Sequence, residues 1–259
     1  MTRTGSSQPS GRSAMVIPPP WMRAADGAIR GGSGVSLDPA APQQGLAVPM
    51  AGSTPAQRLH HLLGIAMLPP GSMAAPPAPS DCWIRGSDCT AIYEPVDPRA
   101  LRATIMWRQW AAAAPGHVTA PAVWEVIVSA QTALLQSNPT LGVVSTIGDA
   151  GELWWGQWQP EGLVFSPTPA PAAAHGVLVR TGSERSILLL AHPGDQQRID
   201  LETRAGECRV TCWVFSTPVE KGVLLRSRVL AAVGPATGDT LWAGSVAAAF
   251  AASPPVLST

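Results

Sequence analysis

The sequence predicts an all-β protein, a jelly-roll-like antiparallel sandwich preceded by a disordered, Pro/Gly/Ser-rich N-terminal arm. Three observations predict it. From about Ser80, short apolar segments are separated by turn residues every eight to twelve positions, the spacing of a sandwich or barrel rather than of βα units. Those segments favour β-branched and aromatic residues, as in Val-Trp-Glu-Val-Ile-Val-Ser at 123–129. Residues 1–79 hold 13 of the 27 prolines together with Gly/Ser tracts such as Gly31-Gly32-Ser33-Gly34. Such a segment buries too little apolar surface to offset a chain entropy of about 1–2 kcal/mol per residue.

In order along the chain, residues 1–79 read as a flexible arm with one structured exception. Thr54-Pro55 supplies a helix start, and Leu59, Leu62, Leu63, Ala66 and Met67 follow at helical spacing, so a short amphipathic helix is expected over 55–68. Residues 80–259 read as a single β-sandwich domain. Residues 89–96 are strand-like. Residues 101–110 suit either state, because Asp97-Pro98 is a good helix start while Thr104, Ile105 and Trp107 favour a strand; the ambiguity extends over 101–136. Strands are then expected at 123–129, 140–147, 152–158, 162–165, 177–180 and 186–191. A hairpin of 198–203 against 208–215 turns across Arg204-Ala205-Gly206-Glu207, and two final strands at 223–233 and 240–250 flank Gly234-Pro235-Ala236-Thr237-Gly238.

Composition narrows the function. Seventeen basic and seventeen acidic residues cancel, and charged residues are only 13% of the 259, about half the usual share. A protein that grips polyanions by bulk charge is not expected. The arm has five Arg and two Asp, a net of +3; Arg3, Arg12, Arg23 and Arg30 are the candidate RNA-facing residues, scattered and weak per chain but additive over many copies. No secretory leader is evident, and the longest weakly apolar stretch, 241–252, is shorter than the about 20 residues of a membrane span.

Catalytic and metal patterns are absent. There is no Gly-x-Ser-x-Gly, Walker A loop, Gly-x-Gly-x-x-Gly or His-Glu-x-x-His. The sequence therefore points away from an enzyme, and no cofactor is expected. His192 and Asp195 share one turn, which hydrogen bonding explains without catalysis. Cys82, Cys89, Cys208 and Cys212 do not have zinc-ligand spacing, and their disulfide state is open. Cys208 and Cys212 fall on one face of a strand, too far apart to bridge.

The ten tryptophans are the most informative feature. Trp154, Trp155 and Trp158 cluster in Leu-Trp-Trp-Gly-Gln-Trp, where a strand would put Trp154 and Trp158 on one face and Trp155 on the other. They form either an aromatic platform for a ligand such as carbohydrate or, the favoured reading, core and interface residues.

The stretch from Val223 runs Val-Leu-Leu-Arg-Ser-Arg-Val-Leu-Ala-Ala-Val, Gly-Pro-Ala-Thr-Gly, Asp-Thr-Leu-Trp-Ala-Gly-Ser-Val-Ala-Ala-Ala-Phe, then Ala-Ala-Ser-Pro-Pro. Read as strand, short loop, final strand and Ser-Pro exit, it resembles the end of jelly-roll coat proteins of small icosahedral positive-strand RNA viruses, the tymovirus-like group in particular. The resemblance implies a capsid protein, forming a T=3 shell in a virion and host cytoplasm, with copies of itself as its main partner, RNA as a weak one, and no catalytic residues. Outside that resemblance, the expectation is a cytoplasmic protein. The alternative is a β-sandwich binding module, for carbohydrate or another protein, built on the three indoles.

Overall fold

The computed structural model describes residues 20–50, 59–66, 78–95, 101–111, 121–137, 140–168, 174–182, 184–195, 198–215 and 218–254. In chain order the described elements are β1 (Met22–Arg23), β2 (Ile29–Arg30), β3 (Ser36–Leu37), β4 (Leu46–Pro49), β5 (Leu59–Ala66), β6 (Asp81–Arg85), β7 (Asp88–Tyr93), β8 (Arg102–Gln109), β9 (Ala122–Gln131) and β10 (Gln136–Ser137). There follow β11 (Leu141–Gly148), β12 (Ala150–Gln159), β13 (Gly162–Ser166), β14 (Gly176–Thr181), β15 (Arg185–Ala191), β16 (Arg198–Arg204), β17 (Glu207–Phe215), β18 (Val219–Glu220), β19 (Leu225–Pro235) and α1 (Asp239–Ala252).

The strands form an antiparallel sandwich. One sheet runs β1-β2-β3-β4-β5-β11-β17-β16, the other β13-β12-β14-β15-β19-β9-β8-β7-β6, and β10 pairs with β18. The chain crosses between sheets at β5–β6, β9–β11, β11–β12, β15–β16 and β17–β19, while hairpins such as β8–β9, β14–β15 and β16–β17 stay within one sheet. Within 101–136 the described residues form β8, β9 and the start of β10 and no helix, and β8 alternates half-buried and buried positions throughout, the period-two pattern of a sheet. The expected turn at 204–207 also forms, with Arg204 opposite Glu207.

Between the sheets lies the main core, into which β9 points Trp124, Val126 and Val128, β19 points Val229, Ala231 and Val233, and β17 points Cys208, Val210 and Cys212. A second apolar layer covers the outer face of the second sheet. There Leu178, Leu188, Leu190 and Leu230 pack beneath Ala243, Val246, Ala247 and Phe250 of α1. Both faces of β14, β15 and β19 are therefore covered, which is why these strands read as nearly unbroken apolar runs.

Three expectations are corrected. Residues 240–250 are not a strand but belong to α1, where alanine's high helix propensity prevails and the helix caps the outer apolar layer. The strand–loop–strand pattern behind the coat-protein resemblance is thus strand–loop–helix at its end. Residues 59–66, expected within a helix over 55–68, form β5; the rest of that segment lies outside the described residues. Finally, the arm does not extend to residue 79. Trp21, Ile29, Val35, Leu37, Leu46 and Val48 are buried in the main core, and β1–β4 continue the first sheet outward from β5. Pro39 sits in the turn at Asp38–Ala41 and Pro49 at the end of β4, so a high proline content coexists with short paired strands. Residues 1–19 lie outside the described residues.

A clasp fixes this N-terminal layer. Leu63 adopts φ 58°, bulging β5, and its carbonyl accepts a bond from Trp107 Nε1 at 3.0 Å. Gly45 (φ 62°) and Gly64 meet at the bulge: a Cβ on Gly64 would lie 2.2 Å from the Gln43 carbonyl oxygen. Only two residues without side chains allow that approach.

Candidate functional site

The tryptophan cluster lies on β12. Trp155 points into the main core and is only 6% exposed, whereas Trp154 and Trp158 are half-buried in the outer layer below α1. The alternation expected of a strand is what forms. Trp154 also lies beneath the Arg180 guanidinium, 5.1 Å from its ring centroid. The indoles are thus split between two layers instead of lying along one open platform.

Arg180 belongs to the network that anchors the start of α1. It donates to both carboxylate oxygens of Asp239 at 2.7 and 3.0 Å and to Glu152 at 2.6 Å. Asp239 is 2% exposed and also accepts from Ser186 Oγ at 2.7 Å and the Thr240 N–H at 2.8 Å. Burial pushes its carboxyl upward, but the bonds from Arg180 and Ser186 outweigh this and leave it below the usual carboxylate range.

A second network anchors the other end. Arg228, on β19, pairs with the buried Glu125 of β9, whose second oxygen accepts from Trp110 Nε1 at 2.9 Å. The same guanidinium donates to the Ser253 hydroxyl at 2.6 Å and carbonyl at 3.2 Å, and stands 4.9 Å above the Phe250 ring. A crevice of about 280 Å³ opens beside these groups, next to Arg108, which makes a two-bond fork with Asp88 at 2.8 Å. Each ionic group lining this crevice is paired, Arg228 with Glu125 and Arg108 with Asp88, the arrangement of a structural lock.

The other titratable candidates are placed as follows. His192 and Asp195 form a turn: the Asp195 N–H donates to the His192 carbonyl at 2.9 Å, and the Asp195 carboxylate accepts the Arg228 N–H at 3.1 Å. Burial raises the Asp195 carboxyl. His60 on β5 is 2% exposed; burial first, then Arg185, hold its imidazole down to about 4. All four cysteines are free. Burial raises the Cys208 thiol to about 11 and that of Cys212 to about 12, so both are unreactive core thiols. No group of three or more His, Cys, Asp or Glu side chains among the described residues is placed to hold a metal ion.

Of the arginines expected on the arm, Arg23 and Arg30 instead sit on β1 and β2 at the edge of the first sheet. Arg30 pairs with Asp26 at 2.6 Å, and Arg23 donates to Cys82 Sγ at 3.8 Å. Arg3 and Arg12 lie outside the described residues.

One surface escaped the sequence reading. β10 and β18 join two loops at one end of the sandwich, where the Lys221 N–H donates to the Leu135 carbonyl at 3.3 Å. Their tips carry Leu134, Leu135, Val223 and Leu224, all exposed, Leu135 by 85%. A side chain lying flat in a surface patch is covered on one side; Leu135 projects. The strand expected at 223–233 included Val223 and Leu224, but β19 begins at Leu225. Leu241, on the outer face of α1, is 76% exposed, and its outward neighbours Ser245, Ala248 and Ala252 are uncharged.

No protein-family model matches the chain, and no curated protein matches it in sequence. No helix among the described residues is long and apolar enough to cross a membrane.

Proposed function

We propose that this chain is a structural protein that assembles with copies of itself into a closed icosahedral shell, the coat-protein role implied by its resemblance to small RNA viruses. The observation that carries the reading is where apolar surface remains exposed. Most aromatic side chains are invested in two packed layers, Trp83 at 42% exposure being an exception, while aliphatic side chains project from the paired loop tips and from an uncharged helix face. Clustered exposed apolar groups favour association over solvation. A net charge of zero adds no long-range repulsion between copies. This surface supports the self-assembly; the coat-protein role comes from the resemblance, in whose terminal pattern the last strand is replaced by α1.

RNA enters as a secondary partner, through scattered arginines whose weak individual contacts add up over many subunits. Light scattering and negative-stain microscopy of the full chain, with and without RNA, test the proposal. Large particles or high-order oligomers are expected; a monomer at every concentration, with or without RNA, overturns it.

A further inference from the structure

The four cysteines fall into two unlike pairs. Cys208 and Cys212 are sealed in the main core, whereas Cys82 is half-buried on β6, the last strand of the second sheet. In the β6–β7 hairpin Cys82 lies opposite Ala91, and Ile84 lies opposite Cys89. Opposed residues share one face of a sheet, as do residues two apart, so both cysteines point inward as diagonal neighbours. Cys89 is 0% exposed, while Cys82 packs against the margin of the main core.

A cation and a hydrogen-bond donor converge on Cys82. Arg23 Nη2, brought from β1 of the first sheet, donates to Cys82 Sγ at 3.8 Å, and the Cys89 S–H donates to the same sulfur. The chain just before β1 is held at this place by the Trp21 N–H, which donates to the Gly86 carbonyl in the hairpin turn at 3.1 Å. The bond from Cys89, together with Arg23, outweighs burial and the nearby Asp81 carboxylate and lowers the Cys82 thiol below its ordinary range. That same bond and burial raise the Cys89 thiol. One sulfur is thus a partly exposed thiolate beside a guanidinium, and the other is a protonated thiol in contact with it. This is the setting of an oxidisable cysteine with a resolving partner.

We infer that Cys82 and Cys89 form a reversible oxidation site for hydrogen peroxide, with Cys82 as the sulfur that is oxidised and Cys89 as the one that resolves it. The Cys82 thiolate attacks one peroxide oxygen: an S–O bond forms, the O–O bond breaks, and the departing hydroxide takes a proton from solvent to become water. The sulfur is oxidised by two electrons to a sulfenic acid, and the peroxide is reduced. The Cys89 sulfur then attacks Cys82 Sγ; the S–S bond forms, the S–O bond breaks, and hydroxide leaves with the Cys89 proton as water. Diagonal neighbours in an antiparallel pair start about 7–8 Å apart, beyond the about 4.4–6.8 Å between Cα atoms in relaxed disulfides. Closing the bond therefore shifts the hairpin, which β6 permits because it is paired only with β7 among the described residues. The strain makes the disulfide easy to reduce, so the site resets.

Tryptic cleavage at Arg58, Arg85 and Arg99 places Cys82 in peptide 59–85 and Cys89 in peptide 86–99, so the bond can be read directly. The folded full chain is treated with graded hydrogen peroxide, remaining thiols are blocked with N-ethylmaleimide during unfolding, and the peptides are mapped by mass spectrometry. Peptide 59–85 is expected linked to 86–99 in a chain that stays monomeric on a non-reducing denaturing gel, and dithiothreitol should separate the two. Cys89→Ser keeps a hydroxyl donor for Cys82, and circular dichroism checks that the variant is folded. Its sulfenic acid should persist, so that dimedone labels 59–85 at least about tenfold more than in the parent chain. In the untreated parent, iodoacetamide at pH 7 should modify Cys82 at least about tenfold faster than Cys208 or Cys212.

A folded parent chain in which Cys82 reacts no faster than the two core thiols, or in which peroxide leaves 59–85 and 86–99 unlinked, overturns the site. Linkage of 59–85 to a second 59–85 marks a bond between copies and overturns the pairing with Cys89.

Discussion

Replacing Glu125 with Ala removes the only carboxylate bonded to the Arg228 side chain among the described residues. Both side chains are almost fully buried, Glu125 1% and Arg228 5% exposed, so water cannot take over the lost partner. Breaking a buried pair by deleting one member costs about 3–5 kcal/mol, because the remaining charge stays desolvated. The Trp110 indole N–H loses its acceptor at the same time. Against a total stability of about 5–15 kcal/mol this is a large fraction, and for a chain of this size it lowers Tm by about 6–20 °C.

Glu125→Gln keeps the shape and an acceptor, so a smaller loss is expected, about 1.5–3 kcal/mol. The double variant Glu125→Leu/Arg228→Met removes both charges together and should recover most of the loss. Urea unfolding followed by tryptophan fluorescence at low protein concentration measures all three, and limited proteolysis near residue 253 reports whether α1 has been released. A Glu125→Ala loss below about 1 kcal/mol, or a double variant no better than the single, would refute the assignment of this pair as the lock on the helix.

Three further outcomes are expected. His60 is held neutral in the fold, with a folded pKa near 4 against 6.5 when exposed; the unfolded chain therefore binds the proton first, and stability falls as pH drops from about 6.5 to 4. The size is on the order of 3 kcal/mol, and His60→Leu should flatten that part of the pH–stability curve; an unchanged slope would exclude His60 as its source. Gly64→Ala forces a Cβ against the Gln43 carbonyl and should cost about 1–3 kcal/mol or more, seen as increased amide exchange across β4 and β5; a neutral effect would mean that the clasp yields freely. Trp155→Ala should cost about 3–5 kcal/mol and Trp154→Ala less, since only Trp155 is fully enclosed. Fluorescence of the parent chain that shifts on adding glycans, and a Trp154→Ala chain that loses the shift, would favour the binding-module reading instead.

The sandwich was legible because a sheet leaves a period-two trace wherever one face is wet: β8 and β17 alternate along their length, and Arg204–Glu207 is a plain turn. β5 misled for a physical reason. The bulge at Leu63 interrupts the alternation, so Leu62, Leu63, Gly64 and Ile65 are buried in succession, and the apolar positions acquire the spacing of a helix. α1 misled in the opposite direction: its residues are apolar or small nearly all round, leaving no polar stripe to mark a helical period.

The split of the three indoles followed from strand geometry alone. What covers Trp154 and Trp158 did not, because α1 and β13 are brought to them by tertiary packing. The paired loop tips were invisible for a related reason. Leu134, Leu135, Val223 and Leu224 have the composition of a core, and only the pairing of β10 with β18 turns them outward.

Fastening a single helix over one side of the second sheet has a bearing on biosynthesis. The ribosome completes every strand beneath α1 before it makes the cover, so Leu178, Leu188, Leu190 and Leu230 emerge with nothing above them. At about 5–20 residues per second the wait from β15 to the end of α1 lasts several seconds, long enough for nascent chains on one polysome to stick to each other. Growth temperature and translation speed should therefore govern the soluble yield of this protein more strongly than its final stability does.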